Sequence, residues 1–428
     1  MIPDIETQSA SKIKAFQNEK LNVQLKYVSE NSLFYKRLFK THNISISDIN
    51  SIEDLIKVPT TSKSDLQNYN SDFLCVEKQS VVDYVTTSGT LGDPVTVALS
   101  DKDLDRLAYN EAISFACAGV TKGDIIQLMT TMDRSFMAGL AYFLGARKLG
   151  AGIIRVGAGV PELQWDSILK HQPTYIIAVP SFLLKLIDHA KSNNINVNTS
   201  GIKGAICIGE PIRDENFALN TLGKKIINNW NLELYSTYAS TEMQTAFTEC
   251  GFQNGGHLHP ELIITEILDD NDQPVKPGEV GELTITNLGV EAMPLIRFKT
   301  GDMLAAHYDA CDCGRNTMRL GPVTGRKQQM VKYKGTTLYP PTMINVLEEF
   351  EAVNSFVIEL FHNKIGTDEI LIKIASDTES EVLLQNIKDH FRAKLRVTPQ
   401  IEFCDASEIK ALRFPKLSRK PILVIDKR

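Results

Sequence analysis

Hydroxyl and glycine residues are concentrated in one short segment of this 428-residue chain, TTSGTLG at residues 86–92, between two apolar runs. Hydroxyl groups and the N–H groups of unhindered glycines can surround a chain of phosphates. The segment is not a Walker-type loop, because no Gly-Lys-Ser/Thr closes it and no helical pattern follows it directly. It is a candidate phosphate-binding loop, and a polar hairpin loop is the alternative interpretation.

Three further segments carry groups suited to nucleotide chemistry. An aromatic ring, hydroxyls and a carboxylate follow the apolar run at residues 232–235, in Tyr238, Ala239, Ser240, Thr241 and Glu242. A Gly-Asp pair ending in Asp302 closes a β-rich run, and Lys420 lies in the sequence LSRKP. Taken singly, these segments are explained equally well by a turn, a capping aspartate and a solvated lysine.

Together and in this order, the segments resemble the adenylate-forming superfamily of acyl-CoA synthetases, luciferases and carrier-protein adenylation domains. Within it the sequence is most similar to the phenylacetate–CoA ligase family. The similarity runs almost end to end, from ENSLFYK at residues 30–36 and LIKVPTTSK at residues 55–63 to VIDKR at residues 424–428. It implies an adenylation domain at residues 1–326, a mobile domain at residues 327–428 and an active site between them.

The resemblance also implies roles for individual residues, with ATP, Mg²⁺ and coenzyme A as ligands. Ser88, Gly89 and Thr90 would hold the ATP phosphates, Glu242 would bind Mg²⁺, and Asp302 would accept hydrogen bonds from the ribose hydroxyls. Arg326 would contact the nucleotide and begin the hinge, while Lys334 and Gly335 would lie beside a tunnel for the coenzyme A thiol. The adenine would be framed by Gly209, Glu210, Pro211, Tyr238, Ala239, Ser240 and Thr241.

Lys420 is the expected catalytic cation. A carboxylate that attacks the α-phosphate of ATP meets like charge, and the transition state concentrates more of it. A positioned ammonium and Mg²⁺ stabilise that charge where it develops.

Two residues depart from the family pattern. Asp93 stands where the phosphate loop usually has Lys, so the sign of a side chain near the triphosphate is reversed. Gln328 stands where the hinge usually has Asp, so it keeps hydrogen-bonding capacity but loses charge. These departures motivate the hypothesis that the protein is a non-catalytic nucleotide-binding homologue. The retained Glu242 and Lys420 argue against it.

Three cysteines and a histidine have the composition of a closed structural zinc site. Cys311 and Cys313 form a C-x-C pair, and Cys250 precedes His257, with His259 as the alternative fourth ligand. Reduced cysteines in a loop are the simpler interpretation. Cys75, Cys117, Cys207 and Cys404 are expected to be small buried side chains.

The leading functional hypothesis is an ATP-dependent ligase that joins a phenylacetate-like aromatic acid to coenzyme A, releasing AMP and pyrophosphate. A carrier protein or an amine is the alternative acyl acceptor. No motif identifies the acid, whose pocket is expected near an apolar set: Phe136, Ala138, Gly139, Ala205 and Tyr238.

The elements that position these residues follow from the sequence pattern. A helix is expected over residues 12–40 with an interruption at 31–34, and a short helix after Pro59-Thr-Thr-Ser. Alternating strands and helices over residues 125–209 predict an α/β domain with a largely parallel sheet. A β-rich subdomain follows at residues 257–335, and a small α+β lobe ends the chain.

Composition excludes several classes of protein. Apolar residues make up 43% and charged residues 23%, typical of a globular chain, and the net charge of −6 gives no signature of nucleic-acid or membrane binding. Seven scattered cysteines do not form a disulfide framework. The acidic start of the sequence is not that of a secretory signal, so we expect a cytoplasmic protein. A homodimer is common among similar enzymes.

Overall fold

The structure, a computed structural model, describes residues 2–87, 95–363, 366–415 and 422–428. Contacts divide the chain into two compact units, the first of residues 1–300 and 304–322 and the second of residues 301–303 and 323–428. The domain boundary predicted after residue 326 stays a prediction. None of the helices in these described ranges is long and apolar enough to cross a membrane.

Helices open the first unit, and local capping determines where they begin. They are α1 (Ala10–Asn31), α2 (Leu33–Thr41) and α3 (Lys63–Asn68). The predicted interruption is confirmed, since the Ser32 hydroxyl caps α2 by accepting from Tyr35 N at 3.3 Å. The predicted short helix is also confirmed, and Ser62 and Asp65 form its capping box.

A hairpin precedes the α/β region. Its strands are β1 (Val81–Thr86) and β2 (Thr96–Ser100), which pair antiparallel with Val85 opposite Val97. Ser100 and Asp103 then form a capping box at the start of α4 (Asp101–Cys117). The candidate phosphate loop joins the two strands, and residues 88–94 lie outside the described ranges.

The α/β region alternates strands and helices, which confirms the predicted fold class. Its elements are β3 (Ile125–Leu128), α5 (Met137–Leu149), β4 (Gly152–Arg155), α6 (Pro161–His171), β5 (Tyr175–Ala178), α7 (Pro180–Ser192), β6 (Gly204–Ile208), α8 (Thr221–Ile227), β7 (Glu233–Ser240) and β8 (Thr245–Thr248). The sheet order is β4-β3-β5-β6-β7-β8, parallel except for β8.

Helices cover both faces of this sheet. Trp165, Leu183 and Ile226 of α6, α7 and α8 pack into one core, while Phe115 and Tyr142 of α4 and α5 pack into another. In the sheet, β4 lies on one side of β3, whereas β5, β6, β7 and β8 follow one another on its other side. Ligands bind outside the carboxyl ends of parallel strands at such a reversal of strand order. The fold therefore predicts a binding crevice beyond β3 and β5.

The β-rich part of the first unit is confirmed as a further sheet. Its strands are β9 (Gly256–His257), β10 (Ile263–Leu268), β11 (Val280–Asn287), β12 (Phe298–His307) and β13 (Arg319–Leu320), in the order β10-β11-β12-β13-β9. The buried Arg297, which precedes β12, donates to both carboxylate oxygens of Glu266 on β10.

The second unit is a small α+β lobe, as predicted. Its elements are β14 (Gly325–Arg326), β15 (Val331–Tyr333), β16 (Thr336–Leu338), α9 (Pro340–Glu348), β17 (Ser355–His362), β18 (Asp368–Ala375), α10 (Glu381–Leu395), β19 (Gln400–Phe403), α11 (Ala406–Arg413) and β20 (Val424–Asp426). A four-stranded sheet in the order β19-β18-β17-β20 holds its core, which includes Ile358, Ile372 and Phe391.

Candidate active site and metal centre

Predicted ligand residues follow three parallel strands of the same sheet. Phe136 comes after β3, Gly209 and Glu210 come directly after β6, and Tyr238 lies near the end of β7. Because β3, β6 and β7 run in one direction, these segments lie at one edge of the sheet. This is the edge at which the reversal of strand order predicts a crevice.

Glu210 holds the beginning of a neighbouring helix. Its carboxylate accepts from Ser181 N and from the Ser181 hydroxyl, both at 2.9 Å, in the first turn of α7. A carboxylate at a helix N-terminus is stabilised by the helix dipole and by N–H groups without helical partners. Gly209 has φ +76°, so a residue with a side chain would be strained at the turn that leads to Pro211.

Glu242 lies in the turn that joins β7 to β8. Tyr238 pairs with Phe247, Ala239 with Ala246, and Ser240 with Thr245. The Ser240 carbonyl accepts from Gln244 N at 3.2 Å, which closes the turn around the half-buried Glu242 and its neighbour Thr241. The carboxylate that is expected to bind Mg²⁺ therefore stands on a hydrogen-bonded turn at the carboxyl edge of the sheet.

Distant side chains clamp this turn. Arg106 of α4 is buried and donates to the carbonyl of Gln244 at 2.6 Å and to the Thr245 hydroxyl at 3.1 Å. Asn287 donates to the carbonyl of Met243 at 2.8 Å. Arg106 and Asn287 were not predicted from the sequence as residues of the site. The Arg, Asp and Asn positions within the buried face of α4 were the available signal, since polar residues there require partners.

The predicted substrate residues fall into different surroundings. Phe136 is 37% exposed and borders a cavity of about 340 Å³ with Val82, Val85, Met132 and Leu140. The half-buried Ala138 packs against an adjoining core. Gly139 is closely packed, since a Cβ there would lie 2.2 Å from the Thr131 carbonyl oxygen, and Ala205 is fully buried. The ring of Tyr238 contacts that of Phe247, with the centroids 6.2 Å apart. Their contact with substrate stays a prediction.

In the second unit, strand pairing brings Asp302 beside Arg326. The two residues are register partners, and Arg326 Nε lies 3.3 Å from Asp302 Oδ1. Lys334 and Gly335 form the two-residue turn between β15 and β16, with φ +49° and +81°. Two positive φ values are typical of a type I′ turn, which matches the twist of a hairpin.

Four catalytic or phosphate-binding assignments cannot be located. Ser88, Gly89, Thr90 and Lys420 lie outside the described residues, as does Asp93. Gln328 lies in a short 3₁₀ helix, Lys327–Gln329, and its carbonyl accepts from Arg428 at 3.5 Å.

The predicted metal ligands converge in the first unit. One potential ligand atom from each of Cys250, His257, Cys311 and Cys313 lies within 4.8 Å of all the others. The Sγ atoms of Cys250 and Cys311 are 3.6 Å apart, and Cys313 Sγ is 3.5 Å from His257 Nε2. Two thiolates at about 2.3 Å from a tetrahedral zinc ion are roughly 3.8 Å apart. The four side chains therefore fit a closed zinc site.

The pKa values of the side chains in the cluster shift in different directions. Burial by itself raises the pKa of the Cys313 thiol, but hydrogen bonds from His257 and Arg315 outweigh it and lower the pKa to about 5. Burial raises the pKa of Cys250 to about 12 and lowers the pKa of His257. A thiolate and a neutral imidazole are the forms that bind zinc.

The structure distinguishes the two candidate histidines. His257 Nδ1 lies 3.1 Å from the Thr317 hydroxyl, which leaves Nε2 directed at Cys313. His259 Nδ1 instead pairs with the carboxylate of Glu6, and His259 is not part of the cluster. Of the other cysteines, Cys75, Cys117 and Cys207 are buried as predicted, whereas Cys404 is half-buried, because it lies in the short loop between β19 and α11. The prediction for Cys404 was wrong.

Comparison with known proteins identifies the family. The profile described as AMP-binding enzyme matches residues 17–292. The chain belongs to the AMP-binding enzyme family. The family resemblance inferred from the sequence is thereby confirmed, and the matched range contains the phosphate loop, Glu242 and both candidate zinc histidines.

Relatives within the AMP-binding family align over most of the chain. It is 30% identical over 350 residues to phenylacetate-coenzyme A ligase of Thermus thermophilus, covering 81% of this chain and 77% of that protein. It is 29% identical over 382 residues to phenylacetate-coenzyme A ligase of Escherichia coli K12, covering 86% and 84%. The fold is similar to 2-hydroxyisobutyryl-CoA ligase in complex with 2-HIB-AMP, with TM-score 0.85, 22% identity, and coverage of 100% and 92%.

Proposed function

We propose that this chain is an AMP-forming ligase that activates an aromatic carboxylic acid with ATP and transfers the acyl group to coenzyme A. The observation that carries the proposal is the convergence of the segments after β3, β6 and β7 at one edge of the sheet. Relatives named phenylacetate-coenzyme A ligase, similar over most of their length, support it.

The first half-reaction forms a mixed anhydride. A carboxylate oxygen of the acid attacks the α-phosphorus of ATP, the bond to the β-phosphate breaks, and pyrophosphate leaves. Ser88, Gly89 and Thr90 would hold the phosphates, and Glu242, on its clamped turn, would supply an oxygen ligand to Mg²⁺. The ion, when bound, would neutralise phosphate charge. Lys420 would stabilise the charge that develops at the α-phosphate.

The second half-reaction forms the thioester. The coenzyme A sulfur attacks the acyl carbon of the anhydride, the carbon–oxygen bond to AMP breaks, and the thiol proton is released. Lys334 and Gly335, at the exposed turn of the second unit, are the residues we assign to the thiol path. Asp302 and Arg326 would hold the ribose and nucleotide.

The cavity beside Phe136 has a mixed lining that offers apolar surface for a ring and polar groups beside it. Its lining residues are Val82, Asp83, Val85, Leu104, Met132, Ser135, Phe136 and Leu140. Ligand pockets of comparable size, roughly 300–1,000 Å³, are common in proteins.

We further propose that Cys250, His257, Cys311 and Cys313 hold one structural zinc ion. With four protein ligands no position remains open for substrate, so the ion would stabilise the fold and take no part in acyl transfer. Elemental analysis of protein purified without a metal-affinity column should find about one zinc per chain. A value well below one would contradict the site.

A panel of carboxylic acids, scored for AMP release with and without coenzyme A, tests the function. Aromatic acids should give AMP and a thioester only when coenzyme A is present, and aliphatic acids of equal size should give less. Acid-dependent pyrophosphate exchange that coenzyme A leaves unchanged, with no thioester, would favour a carrier-protein or amine acceptor. Absence of acid-dependent exchange with every acid would contradict the proposed function.

A further inference from the structure

Glu6 is a fully buried carboxylate on the short 3₁₀ helix Asp4–Thr7, close to the candidate zinc cluster. One of its oxygens accepts from Arg315 Nε at 2.7 Å, and the other lies 2.5 Å from His259 Nδ1. Arg315 follows Cys313 by two residues, and His259 follows His257 by two. Glu6 therefore connects the two segments that carry three of the four predicted zinc ligands.

Arg315 links this carboxylate to a ligand atom. Its side chain is 3% exposed, and its Nη1 donates to Cys313 Sγ at 3.6 Å while its Nε donates to Glu6. A guanidinium with a fixed planar fork can hold both acceptors only in one orientation. The direction of the hydrogen bond to the Cys313 thiolate thus depends on Glu6.

Backbone contacts fasten the same two segments together. Asn316 N donates to the carbonyl of Glu6 at 2.8 Å, and its side-chain amide donates to the carbonyls of Thr7 at 3.0 Å and Gln8 at 3.2 Å. Residues 6–8 therefore dock on the segment 311–316, which contains two of the predicted ligands.

We propose that docking of residues 4–8 and zinc binding are energetically coupled through Glu6 and Arg315. Glu6 acts as a positioning residue that orients Arg315 toward the Cys313 sulfur, and zinc in turn fixes the segment on which residues 4–8 dock. Hydrogen bonds to metal ligands hold them in place, and removal of such a partner weakens metal affinity by about 10–100-fold. The coupling is reciprocal, because each event must favour the other by the same factor. The inference rests on the zinc site proposed above and is independent of the proposed ligase activity.

Hydrogen exchange of the unaltered protein gives the first test. Peptides that cover residues 2–12 are compared with zinc bound and after removal of zinc by a chelator. Amides of residues 4–8 should exchange faster in the zinc-free protein, while a peptide from α7 should exchange at the same rate in both. Equal exchange of residues 4–8 in the two states would overturn the coupling.

Zinc affinity of variants gives the second test, measured by competition with a chromophoric chelator. Glu6→Gln, which alters a partner of Arg315 and not of a ligand, should lower the affinity by about threefold to tenfold, less than the 10–100-fold expected for loss of a direct partner of a ligand. Asp4→Asn, an exposed position on the same 3₁₀ helix, should leave it within twofold. Should Glu6→Gln fail to fold, the exchange experiment decides alone.

The outcomes separate the coupling from the zinc site itself. If wild type binds zinc, Cys313→Ser loses it and Glu6→Gln matches wild type, the coupling is wrong and the zinc site stands. If wild type binds no zinc, both are wrong. Neither measurement uses acid, ATP or coenzyme A, so a failure of the ligase proposal is seen in different experiments.

Discussion

Glu111 is a carboxyl group enclosed between α4 and α5. It accepts from Asn110 at 3.0 Å, and the helices approach so closely at Gly145 that a Cβ there would lie 2.2 Å from Glu111 Cβ. Burial raises the pKa of Glu111 from 4.5 to about 8, and Tyr142 of α5 is the titratable neighbour whose pKa Glu111 helps to raise. The folded protein therefore keeps a proton that the unfolded chain releases above pH 4.5.

We predict that this residue makes stability fall as pH rises from about 5 to 8. The pKa of Glu111 is higher in the folded protein than in the unfolded chain. The destabilisation is therefore absent below pH 4.5 and grows by up to about 1.4 kcal/mol per pH unit until the pH reaches the pKa of the folded state. Glu111→Gln should remove this slope. Urea unfolding at several pH values, followed by fluorescence of Trp165 and Trp230 in the first unit, measures it.

Asp105→Asn is the matched control, since Asp105 is exposed on the same helix. It should leave the difference in stability between pH 5 and pH 8 as in wild type. A pH profile of Glu111→Gln parallel to that of wild type would show that Glu111 is charged in the folded protein at neutral pH.

At this scale the sequence predicted which residue types meet but not their choice of partner. Cys250, Cys311 and Cys313 were recognisable as candidate metal ligands, whereas His257 and His259 were equivalent by spacing. Glu6 decides between them, because its carboxylate pairs with His259 across 253 residues. No local pattern contains that contact.

At the scale of elements, Arg106 joins α4 to the turn that carries Glu242 and to the β-rich sheet. Besides Gln244 and Thr245, it donates to the carbonyls of Leu288 at 2.8 Å and Leu262 at 2.5 Å. Burial lowers its pKa only to about 10, so the guanidinium stays charged at neutral pH.

We predict that Arg106→Met destabilises the first unit by about 3 kcal/mol or more. A buried acceptor that loses its donor costs about 1–3 kcal/mol, and several are affected here. The urea midpoint by tryptophan fluorescence should fall. Under folding conditions the variant should also need more Mg²⁺ for half-maximal AMP formation, because the turn that holds Glu242 is released.

Arg147→Met, at an exposed position on α5, is the control and should leave the midpoint and the Mg²⁺ requirement unchanged. An Arg106→Met midpoint equal to that of wild type would mean that water replaces the guanidinium without loss of stability.

Element starts such as Ser62 and Ser100 were predictable, since their capping partners are three residues away. The partners of Arg106 are 138–182 residues away along the chain and were not.

At the scale of the whole molecule, the two units can be observed separately. Both tryptophans of the chain, Trp165 and Trp230, lie in the first unit, where their rings stack with centroids 5.4 Å apart. All four predicted zinc ligands belong to the same unit. Far-ultraviolet circular dichroism, in contrast, reports on helices of both units.

We predict that removal of zinc lowers the melting temperature recorded by tryptophan fluorescence by about 5 °C. Free zinc at 100 times its dissociation constant stabilises the folded unit by about 2.7 kcal/mol, and each kcal/mol shifts the melting temperature of a large domain by about 2 °C. The melting temperature of residues 323–428, followed by circular dichroism, should stay the same when zinc is removed. A shift of both transitions together would show that the units unfold as one.

The sequence predicted an α/β lobe with a parallel sheet, a β-rich part and a small α+β lobe, because each rests on local periodicity. The strand order β4-β3-β5-β6-β7-β8 did not follow from it, since pairing is decided by contacts between distant strands. The common direction of the strands brings Phe136, Glu210 and Tyr238 to one edge, whereas the strand order decides which of their segments are neighbours along it.

The two half-reactions are expected to depend on different residues of the region after residue 326, and variants can separate them. Lys420→Ala should lower acid-dependent pyrophosphate exchange about 10²–10³-fold, as removal of one transition-state donor does, while thioester formation from a supplied acyl-adenylate continues. Lys334→Ala, at the exposed β15–β16 turn, should leave exchange unchanged and raise the coenzyme A concentration for half-maximal thioester formation. Lys410→Ala and Lys332→Ala, both exposed, are the controls. If Lys420→Ala kept wild-type exchange, a cation elsewhere would have to neutralise the α-phosphate, and the assignment of Lys420 would be wrong.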